Sequence, residues 1–449
     1  MATEIEKKVM EAKIASITLA SVDTRTKDRA LEAMANALDE NRDRILEANK
    51  ADLEEAEKMM AEGKLSQALV DRLKVSNSKI DGMISGIRDV IKLEDPSGKT
   101  LRTLELDTGL DLYQVSCPIG LIGVIFESRP DVVPQIMSLC LKSGNATIFK
   151  GGSEALNSNR TIFDILVTAM ENTEGIPGGA FQLMETREEV MDLLAQDEYI
   201  DLLIPRGSND FVKFIQNNTR ISVLGHADGI CHAYVDNKAN LHKAYDVCFD
   251  SKVQYPAVCN AMETLLINRE IAGDFMPEMI KRYEDAGVEL RFDEGSYTLA
   301  ENLGFKNLKK ATEEDWKTEY NELILSVKLV DSIEEAINHI NSYGSHHTDA
   351  IITEDEAKRK QFIDLVDSSS VMVNASTRFA DGFRYGKGAE VGISTNKIHA
   401  RGPVGMEGLV IYKYVLLGNG DKVADYAGDE PKPFTHRLLD KELSDVLDN

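Results

Sequence analysis

The chain has 449 residues and a hydrophobic content of 43%, which is enough for two or three domains with cores of their own. Its formal net charge of −25 argues against non-specific binding to nucleic acid or to an anionic membrane, because the mean field repels both. The sequence has no long apolar run, and residues 1–10 carry acidic residues in place of an apolar signal core, so we expect a cytoplasmic protein.

The cysteines give no sign of a disulfide scaffold or of a structural zinc site. They are odd in number, widely spaced and without a CxxC pair. The five are Cys117, Cys140, Cys231, Cys248 and Cys259.

The N-terminal part, residues 5–90, has the pattern of three or four helices. Residues 26–38, for example, place alanine, leucine and methionine on one face. Residues 100–116 alternate on either side of Gly109, which predicts a β-hairpin. Such a hairpin is either an arm that contacts another subunit or a plain internal hairpin.

From Pro118 onwards strand-like and helix-like segments alternate, which predicts a parallel sheet covered by helices. Such a sheet binds ligands at the carboxyl ends of its strands, here residues 127–130, 150–154 and 205–209. We expect strands at residues 121–126, 146–149, 180–183, 201–204 and 221–224, and helices that begin near Asp131, Glu154, Arg187 and Asn209.

Two of these loops have features of phosphate-binding loops. Gly207 lets the backbone approach an anion, and Ser208 can cap the helix that follows. Lys150, with Gly151 and Gly152, offers a cation beside a flexible backbone. Ordinary helix caps use the same residue types, so both interpretations stay open. The first strand lacks the GxGxxG motif of standard dinucleotide-binding sites.

A second block of helices and strands begins near Tyr234 and runs to residue 373. It contains a predicted helix at residues 240–253, ended by Pro256, and a strand at residues 264–267. Cys259 lies in the loop between them. A thiol in such a loop is held by the scaffold and open to a ligand, which suits a nucleophile; the alternative is a small buried hydrophobic side chain.

Residues 339–349 are rich in histidine, a common metal ligand. His346 and His347 are adjacent, however, and therefore point in different directions in either a helix or a strand. Neither has a partner motif with metal-ligand spacing. We therefore predict no metal site.

Residues 374–405 are rich in glycine and in basic residues, although the chain as a whole is acidic. These cations can gather carboxylate or phosphate groups, and a solvated surface is the alternative for each of them. They are Arg378, Arg384, Lys387, Lys397 and Arg401. Residues 407–416 then have the pattern of a strand, and we expect the charged tail after Gly418 to be loosely ordered.

Longer motifs stand in order along nearly the whole chain. They are Ile-Phe-Glu-Ser-Arg-Pro at residues 125–130, Ile-Pro-Arg-Gly-Ser-Asn at 204–209, Leu-Gly-His-Ala-Asp-Gly at 224–229, Tyr-Pro-Ala-Val-Cys-Asn-Ala-Met-Glu at 255–263, and the segments 330–351, 374–382 and 399–405. On these motifs the chain resembles the γ-glutamyl phosphate reductases (glutamate-5-semialdehyde dehydrogenases), a branch of the aldehyde dehydrogenase superfamily. It also resembles the C-terminal half of the eukaryotic synthases that fuse this reductase to a glutamate kinase.

The resemblance implies an aldehyde dehydrogenase-like α/β fold with a Rossmann-type cofactor domain, an α/β catalytic domain and a β-hairpin oligomerisation arm. We therefore expect an NADP-binding domain at residues 1–100 and 117–233 and a catalytic domain at residues 234–405. Residues 101–116 and 406–418 are expected to form the arm, and residues 419–449 a C-terminal tail.

The resemblance also implies roles for single residues. Cys259 aligns with the nucleophile of the superfamily. The residues expected to bind the cofactor are Lys150 at the adenosine ribose, Gly207 and Ser208 at the pyrophosphate, and Glu319 at the nicotinamide ribose. The residues expected to bind the substrate are Arg129, Asn374, Arg378 and Arg401.

The chain departs from its wider superfamily near residue 223. Hydrolytic aldehyde dehydrogenases have a Glu-Leu-Gly-Gly motif whose glutamate activates water, and here Val223 stands in the place of that glutamate. A reductase that passes hydride to a thioester has no use for such a base. The superfamily's oxyanion asparagine also lacks a match, which leaves the backbone N–H of Cys259 as the candidate donor.

The resemblance implies the second step of proline biosynthesis from glutamate. In this step NADPH reduces L-γ-glutamyl 5-phosphate to L-glutamate 5-semialdehyde and phosphate, through a thioester on Cys259. Glu154 stands four residues after Lys150, whereas many relatives have three, so Lys150 is the better partner for the cofactor's 2′-phosphate. We expect a homo-oligomer, a dimer or a tetramer, that receives its labile substrate from a glutamate 5-kinase. Two alternatives stay open: a hydrolytic aldehyde dehydrogenase and a catalytically silent assembly subunit.

Overall fold

The structure, a computed structural model, describes residues 3–63, 65, 67–185, 189–226 and 228–447, without the side chains of Ala68 and Glu189. By their internal packing these residues form two compact units. The first comprises Met1–Gly207, Phe214–Val223 and Gly405–Asn449, and the second comprises Ser208–Lys213 and Leu224–Val404. Within the described ranges no helix is long and apolar enough to cross a membrane.

The described α-helices, in chain order, are α1 (Glu4–Leu19), α2 (Thr24–Glu40), α3 (Arg42–Ala61), α4 (Gln67–Leu73), α5 (Asn77–Lys92), α6 (Val132–Ser143), α7 (Leu156–Glu171), α8 (Glu189–Leu194), α9 (Asn209–Asn217), α10 (Leu241–Val253), α11 (Arg269–Asp285), α12 (Glu294–Asn302), α13 (Ile333–Tyr343), α14 (Glu356–Leu365) and α15 (Ser444–Leu447).

The described strands are β1 (Thr100–Asp107), β2 (Leu110–Pro118), β3 (Leu121–Phe126), β4 (Ala146–Gly151), β5 (Phe181–Met184), β6 (Leu202–Arg206), β7 (Cys231–Val235), β8 (Met262–Asn268), β9 (Glu289–Phe292), β10 (Lys309–Lys310), β11 (Ile324–Val330), β12 (Thr348–Ile352), β13 (Ser370–Val373), β14 (Gly392–Ser394), β15 (Gly402–Val404), β16 (Val410–Leu417) and β17 (Arg437–Leu439).

The N-terminal helices form because apolar residues recur on one face and polar residues cap the helix starts. Asp23, for example, accepts a hydrogen bond from the backbone N–H of Thr26 at 2.9 Å and so begins α2. The structure contains α1–α5 in this region where three or four helices were predicted; the short helix α4 accounts for the difference. The fully buried face of α2 consists of Ala30, Leu31, Met34, Ala35 and Leu38.

The predicted hairpin is present as β1 and β2, which pair antiparallel around Gly109. Gly109 has a φ of +80°, a left-handed conformation that glycine adopts without strain. In the same sheet β16 pairs with β2 and β17 with β1. The prediction of a loosely ordered tail was therefore wrong for β17, where Arg437 also forms an ion pair of 2.8 Å with Glu105. Composition could not reveal this pairing because the partner strand lies far away in the sequence.

The parallel sheet of the first unit has the strand order β5-β4-β3-β6, and its strands lie within two residues of their predicted bounds. Strands β3 and β4 are buried along their whole length, as expected for a parallel sheet covered on both faces. The prediction of a strand at residues 221–224 was wrong, because only Val223 forms a bridge, to Leu203 of β6. The predicted start of a helix near Arg187 falls outside the described residues.

The second unit is built on a parallel sheet with the order β10-β9-β11-β8-β7-β12-β13. Leu265 and Ile267 of β8 belong to one buried apolar cluster and Leu266 to another, because successive side chains of a strand point to opposite faces. The predicted helix at residues 240–253 is confirmed as α10, which Asn240 caps, and the predicted strand at 264–267 is confirmed as the core of β8.

Candidate active site

Cys259 lies in the short connection between α10 and β8. Helix α10 ends at Val253, and Pro256 prevents its continuation. The backbone N–H of Ala261 donates to the carbonyl of Val258 at 3.0 Å, which closes a tight turn around Cys259. The Cys259 side chain is partly exposed, whereas Cys231 behind it is buried. A partly exposed thiol on a turn fixed by two regular elements is what a nucleophile requires.

Gly229 packs directly against this turn. A Cβ added to Gly229 would lie 2.3 Å from the carbonyl oxygen of Cys259 and 2.6 Å from its Cβ. Because real Cβ atoms do not approach other atoms so closely, only glycine fits here. The segment before β7 thus fixes the position of the thiol.

Two histidines meet Cys259 at one edge of the second sheet. His226 precedes β7, Cys259 precedes β8 and His347 precedes β12. These strands are parallel and adjacent, so their amino ends lie side by side. A nitrogen of each histidine ring and the sulfur of Cys259 all lie within 4.8 Å of one another. Such a group of atoms can hold a soft metal ion or pass a proton.

Each residue of this cluster has hydrogen-bond partners, and those of His226 define its tautomer. Nδ1 of His226 lies 2.8 Å from the carbonyl oxygen of Ile393, which can only accept, so this nitrogen carries the proton. Nδ1 of His347 lies 2.9 Å from the hydroxyl of Thr348 and 3.7 Å from the sulfur of Cys231. The Cys231 thiol donates to the carbonyl of Cys259, and burial raises the pKa of Cys231 well above its ordinary value.

Arg378 lies beside the Cys259 turn. Its Nε donates to Oε1 of Gln254 at 2.9 Å, and its guanidinium lies 6.0 Å from the ring centre of Tyr255. Burial lowers the pKa of Arg378, and the cation of Arg384 lowers it further, whereas the Cys259 side chain raises it. The Arg378 cation is therefore partly desolvated, which strengthens any contact with an anionic ligand.

The other candidate substrate residues of this unit have different neighbours. Arg401 donates to the carboxylate of Asp367 at 3.1 Å, and Lys397 binds the same carboxylate. The side-chain amide of Asn374 donates to the carbonyl of Thr353 and accepts from its N–H, both at 2.9 Å. The basic side chains of residues 374–405 thus lie in at least two places in the unit. A role of Asn374 or Arg401 in substrate binding stays a prediction.

Lys150 is the penultimate residue of β4 in the first unit and is buried, with its ammonium group donating to the carbonyl of Gly151. The carboxylate of Glu154 accepts from the N–H and the hydroxyl of Ser128, both at 2.7 Å. Ser128 has a φ of +45°, so these two bonds fix a strained turn just before Arg129. The loops after β3 and β4 are therefore tied together at the carboxyl ends of their strands.

Gly207 and Ser208 are exposed and directly precede α9. Asn209 begins α9, and its amide donates to the carboxylate of Glu319 at 2.6 Å and to that of Asp228 at 3.2 Å. The loop that holds Glu319 is thus tied to the start of α9. The roles of Gly207, Ser208 and Glu319 in cofactor binding stay predictions.

A buried ion pair flanks the Cys259 loop. Lys252 of α10 donates to the carboxylate of Glu263 in β8 at 2.5 Å, and both side chains are fully buried. Burial raises the pKa of Glu263 to about 7, although Lys252 opposes this rise. Burial likewise lowers the pKa of Lys252. Sequence patterns did not predict this pair, since its partners lie on different elements.

The chain matches the model of the aldehyde dehydrogenase family over residues 1–323. It is 84% identical over 447 residues to the γ-glutamyl phosphate reductase of Methanococcoides burtonii, with 100% of both chains covered. The chain belongs to the γ-glutamyl phosphate reductases of the aldehyde dehydrogenase family. Another γ-glutamyl phosphate reductase, from Methanosarcina barkeri, is 72% identical over 446 residues, which are 99% of this chain and 100% of that one.

A solved structure agrees with this membership. The crystal structure of the γ-glutamyl phosphate reductase of Thermotoga maritima has a TM-score of 0.89 and 40% sequence identity, with 94% of this chain and 100% of that chain covered. The aldehyde dehydrogenase-like α/β fold implied by the motifs is therefore confirmed, as is the expectation of a γ-glutamyl phosphate reductase.

Proposed function

We propose that this γ-glutamyl phosphate reductase reduces L-γ-glutamyl 5-phosphate to L-glutamate 5-semialdehyde and phosphate with NADPH, by way of a thioester on Cys259. The observation that carries the proposal is the partly exposed Cys259 on its fixed turn, in a chain of this family. The alternative of a silent subunit offers no reason for a thiol held in this manner.

The proposed reaction uses the Cys259 sulfur twice. The thiolate attacks the acyl carbon, the bond from that carbon to the phosphate oxygen breaks, and phosphate leaves with the electron pair. NADPH, when bound, supplies the hydride that reduces the thioester carbon. The oxygen's electron pair then re-forms the carbonyl, the carbon–sulfur bond breaks, and the aldehyde leaves with Cys259 restored as the thiolate. The backbone N–H of Cys259 is the candidate donor to the oxygen of each tetrahedral species.

Val223 supports reduction in place of hydrolysis. A hydrolytic enzyme needs a carboxylate there to activate water, and valine has no group that accepts a proton. The thioester would otherwise be lost to water before hydride arrives. We therefore favour the aldehyde as the product.

Several residues of this chain suit the binding of the nicotinamide nucleotide that is common to the aldehyde dehydrogenase family. A Cβ at Gly151, the buried last residue of β4, would lie 2.3 Å from the amide nitrogen of Asn159, so glycine lets this strand pack closely against α7 just after Lys150. Lys150 is the proposed partner of the 2′-phosphate, which favours NADPH over NADH. The exposed backbone of Gly207 and Ser208 suits the pyrophosphate, and the carboxylate of Glu319 suits a ribose hydroxyl.

Arg378 is our first candidate for binding a substrate anion, because it lies beside Cys259 and is partly desolvated. Arg129, Asn374 and Arg401 are retained as further candidates from the family resemblance. A carboxylate or phosphate bound to a guanidinium forms strong charge-assisted hydrogen bonds. Because the protein as a whole is acidic, it must provide such a cation locally at the substrate.

We propose a homo-oligomer that assembles through the edge strand β16. This strand lies at one end of the sheet β16-β2-β1-β17. A sheet edge lined by apolar side chains favours pairing with a second chain. The large exposed apolar and aromatic side chains of β16 are Ile411, Tyr412, Tyr414 and Leu416, with the exposed Lys413 among them. A glutamate 5-kinase is the proposed source of the labile acyl phosphate.

Release of phosphate in the absence of NADPH tests the thioester. The wild-type enzyme mixed with γ-glutamyl phosphate is expected to release a burst of phosphate close to one equivalent per active site, because acylation does not need hydride. The Cys259→Ala variant is expected to give no burst. A burst of equal size from Cys259→Ala, after correction for spontaneous hydrolysis, would overturn the assignment of the nucleophile.

A further inference from the structure

We propose that Cys259, His226 and His347 form a binding site for a thiophilic divalent cation, Zn²⁺ above all, which reversibly blocks the thiol. The three potential ligand atoms lie within 4.8 Å of one another. Around a tetrahedral Zn²⁺ ion, ligand atoms of this kind lie about 3.3–3.5 Å apart, given Zn–N bonds of about 2.0 Å and Zn–S bonds of about 2.3 Å. Small side-chain rotations are therefore enough to close the site around the ion.

The histidine His226 has the tautomer that a metal ligand needs. Its Nδ1 donates to the backbone carbonyl of Ile393 at 2.8 Å, so the lone pair is on Nε2. Metal-binding histidines commonly use their second nitrogen in this way, because the hydrogen bond fixes the ring and increases the basicity of the ligating nitrogen.

The histidine His347 supplies a buried nitrogen at the same place. Its side chain is fully buried, and its Nε2 has no hydrogen-bond partner in the described part of the chain. The Cys231 thiol donates its proton to the carbonyl of Cys259. The Cys231 sulfur can therefore only accept a hydrogen bond from Nδ1 of His347. The hydroxyl of Thr348, 2.9 Å from the same nitrogen, can accept as well, and in the tautomer with the proton on Nδ1 the lone pair is on Nε2. A buried nitrogen without a partner is costly, and binding a cation removes that cost.

The ligand set selects soft ions. A thiolate and two imidazoles suit Zn²⁺, whereas Mg²⁺ and Ca²⁺ prefer oxygen ligands, of which the three-residue cluster has none. Binding exchanges the thiol proton of Cys259 for the ion, so one proton is released and no electrons are transferred. The fourth position of the ion stays open to water or to an anion.

The expected consequence is inhibition, since a zinc-bound sulfur cannot attack an acyl carbon. This consequence rests on the proposed role of Cys259, but ion binding itself does not. The ion is not a cofactor of the reaction. The sequence around His346 and His347 predicted no metal site, and the proposed site, which contains His347, departs from that prediction.

Binding is tested on the full-length enzyme without substrate, with Co²⁺ as the spectroscopic probe and Zn²⁺ as its competitor. We expect one tightly bound Co²⁺ per chain with a sulfur-to-cobalt charge-transfer band, displaced by Zn²⁺ and unaffected by Mg²⁺. The band is expected to disappear in Cys259→Ser. His226→Gln and His347→Gln are each expected to weaken binding by more than about tenfold.

The neighbouring His346 provides the matched control. Its Nδ1 lies 2.7 Å from the carbonyl oxygen of Asp367, and its side chain is 42% exposed. The His346→Gln variant is expected to bind Co²⁺ like the wild type. Unchanged binding in both His226→Gln and His347→Gln, or a band that persists in Cys259→Ser, would overturn the proposal.

A measurement on the wild type avoids any folding defect of the buried variants. Zn²⁺ is expected to slow alkylation of Cys259 by iodoacetamide at least tenfold, and removal of the ion by a chelator is expected to restore the rate. An unchanged rate at saturating Zn²⁺ would contradict the site. Because neither measurement involves turnover, failure of the zinc site is distinguishable from failure of the thioester mechanism, which the phosphate burst reports.

Discussion

Gly229 lies so close to the Cys259 turn that no side chain fits between them. The Gly229→Ala variant must therefore move the backbone that carries the thiol. A displacement of about 1 Å at a reacting group is enough to reduce a rate by about 100-fold. We expect kcat for reduction to fall by about this factor in steady-state assays of Gly229→Ala.

Gly273 in α11 provides the control for this substitution. A Cβ at Gly273 would meet no atom within 4 Å, and alanine is favoured over glycine inside a helix. The Gly273→Ala variant is expected to keep full activity and equal or higher stability. Equal kcat values for Gly229→Ala and Gly273→Ala would show that the position of the turn does not limit the rate.

Arg378 gives a prediction about substrate binding. Its removal is expected to raise the KM for γ-glutamyl phosphate by about 10-fold or more, since a partly desolvated charge-assisted hydrogen bond contributes about 1.5–3 kcal/mol. The KM for NADPH is expected to stay within about twofold. Initial-rate measurements on Arg378→Ala check both values, and an equal rise in the two would exclude a specific role at the substrate.

At this scale the sequence predicted Cys259 and its loop, because Pro256 and the apolar strand that follows are local signals. It did not predict that His347 lies beside Cys259. Spacing along the chain relates His347 only to its neighbour His346, whereas the contact with Cys259 depends on the adjacency of β8, β7 and β12 in the sheet. Strand order is a property of the fold, and the sequence around one residue does not contain it.

At the scale of elements, α10 and β8 are joined by the buried pair Lys252–Glu263 on either side of the Cys259 loop. Loss of one partner leaves a buried charge without compensation. The Lys252→Met variant is therefore expected to lose about 3–5 kcal/mol of stability, measured by denaturant unfolding. The double variant Lys252→Met/Glu263→Gln is expected to regain most of this loss. A double variant whose loss of stability equals the sum of the losses in the two single variants would contradict a coupled pair.

The same pair predicts a dependence of stability on pH. Because the pKa of Glu263 is raised from 4.5 to about 7, the folded protein binds more protons than the unfolded chain between these values. The contribution of Glu263 is fully present below pH 4.5 and is lost as the pH rises through about 7. The free energy of unfolding of the wild type, relative to the double variant, should fall across this window by at most about 3 kcal/mol. A rise across the same window would contradict the raised pKa.

Local patterns predicted most elements of the fold but not all of their pairings. Alternation around Gly109 predicts the hairpin, a continuous apolar run predicts β3, and Pro256 marks the end of α10. Each of these signals lies within a few residues. Residues 221–224 have the same apolar character, yet only Val223 reaches a neighbouring strand. Strand β17 was missed for the opposite reason, because the charged residues that follow it conceal a strand that pairs with β1.

At the scale of the whole molecule, the exposed apolar side chains of β16 predict assembly of several chains. Leu416 is 52% exposed on this edge strand. The Leu416→Lys variant is expected to lower the molar mass in solution towards that of the monomer, because charged side chains on a strand edge oppose pairing. Light scattering after size-exclusion chromatography measures this mass.

Ile14 on α1 serves as the control, since it is 66% exposed and lies outside this sheet. The Ile14→Lys variant is expected to keep the molar mass of the wild type. Assembly that is unchanged in Leu416→Lys, or equally weakened in Ile14→Lys, would show that β16 is not the interface.

The reverse reaction tests the central claim most directly. With glutamate 5-semialdehyde, supplied as pyrroline-5-carboxylate, the wild-type enzyme is expected to reduce NADP only when inorganic phosphate is present, because phosphate must take the acyl group from Cys259. The Cys259→Ser variant is expected to lose this activity. Reduction of NADP without phosphate, with glutamate as the product, would contradict the account and identify a hydrolytic aldehyde dehydrogenase instead.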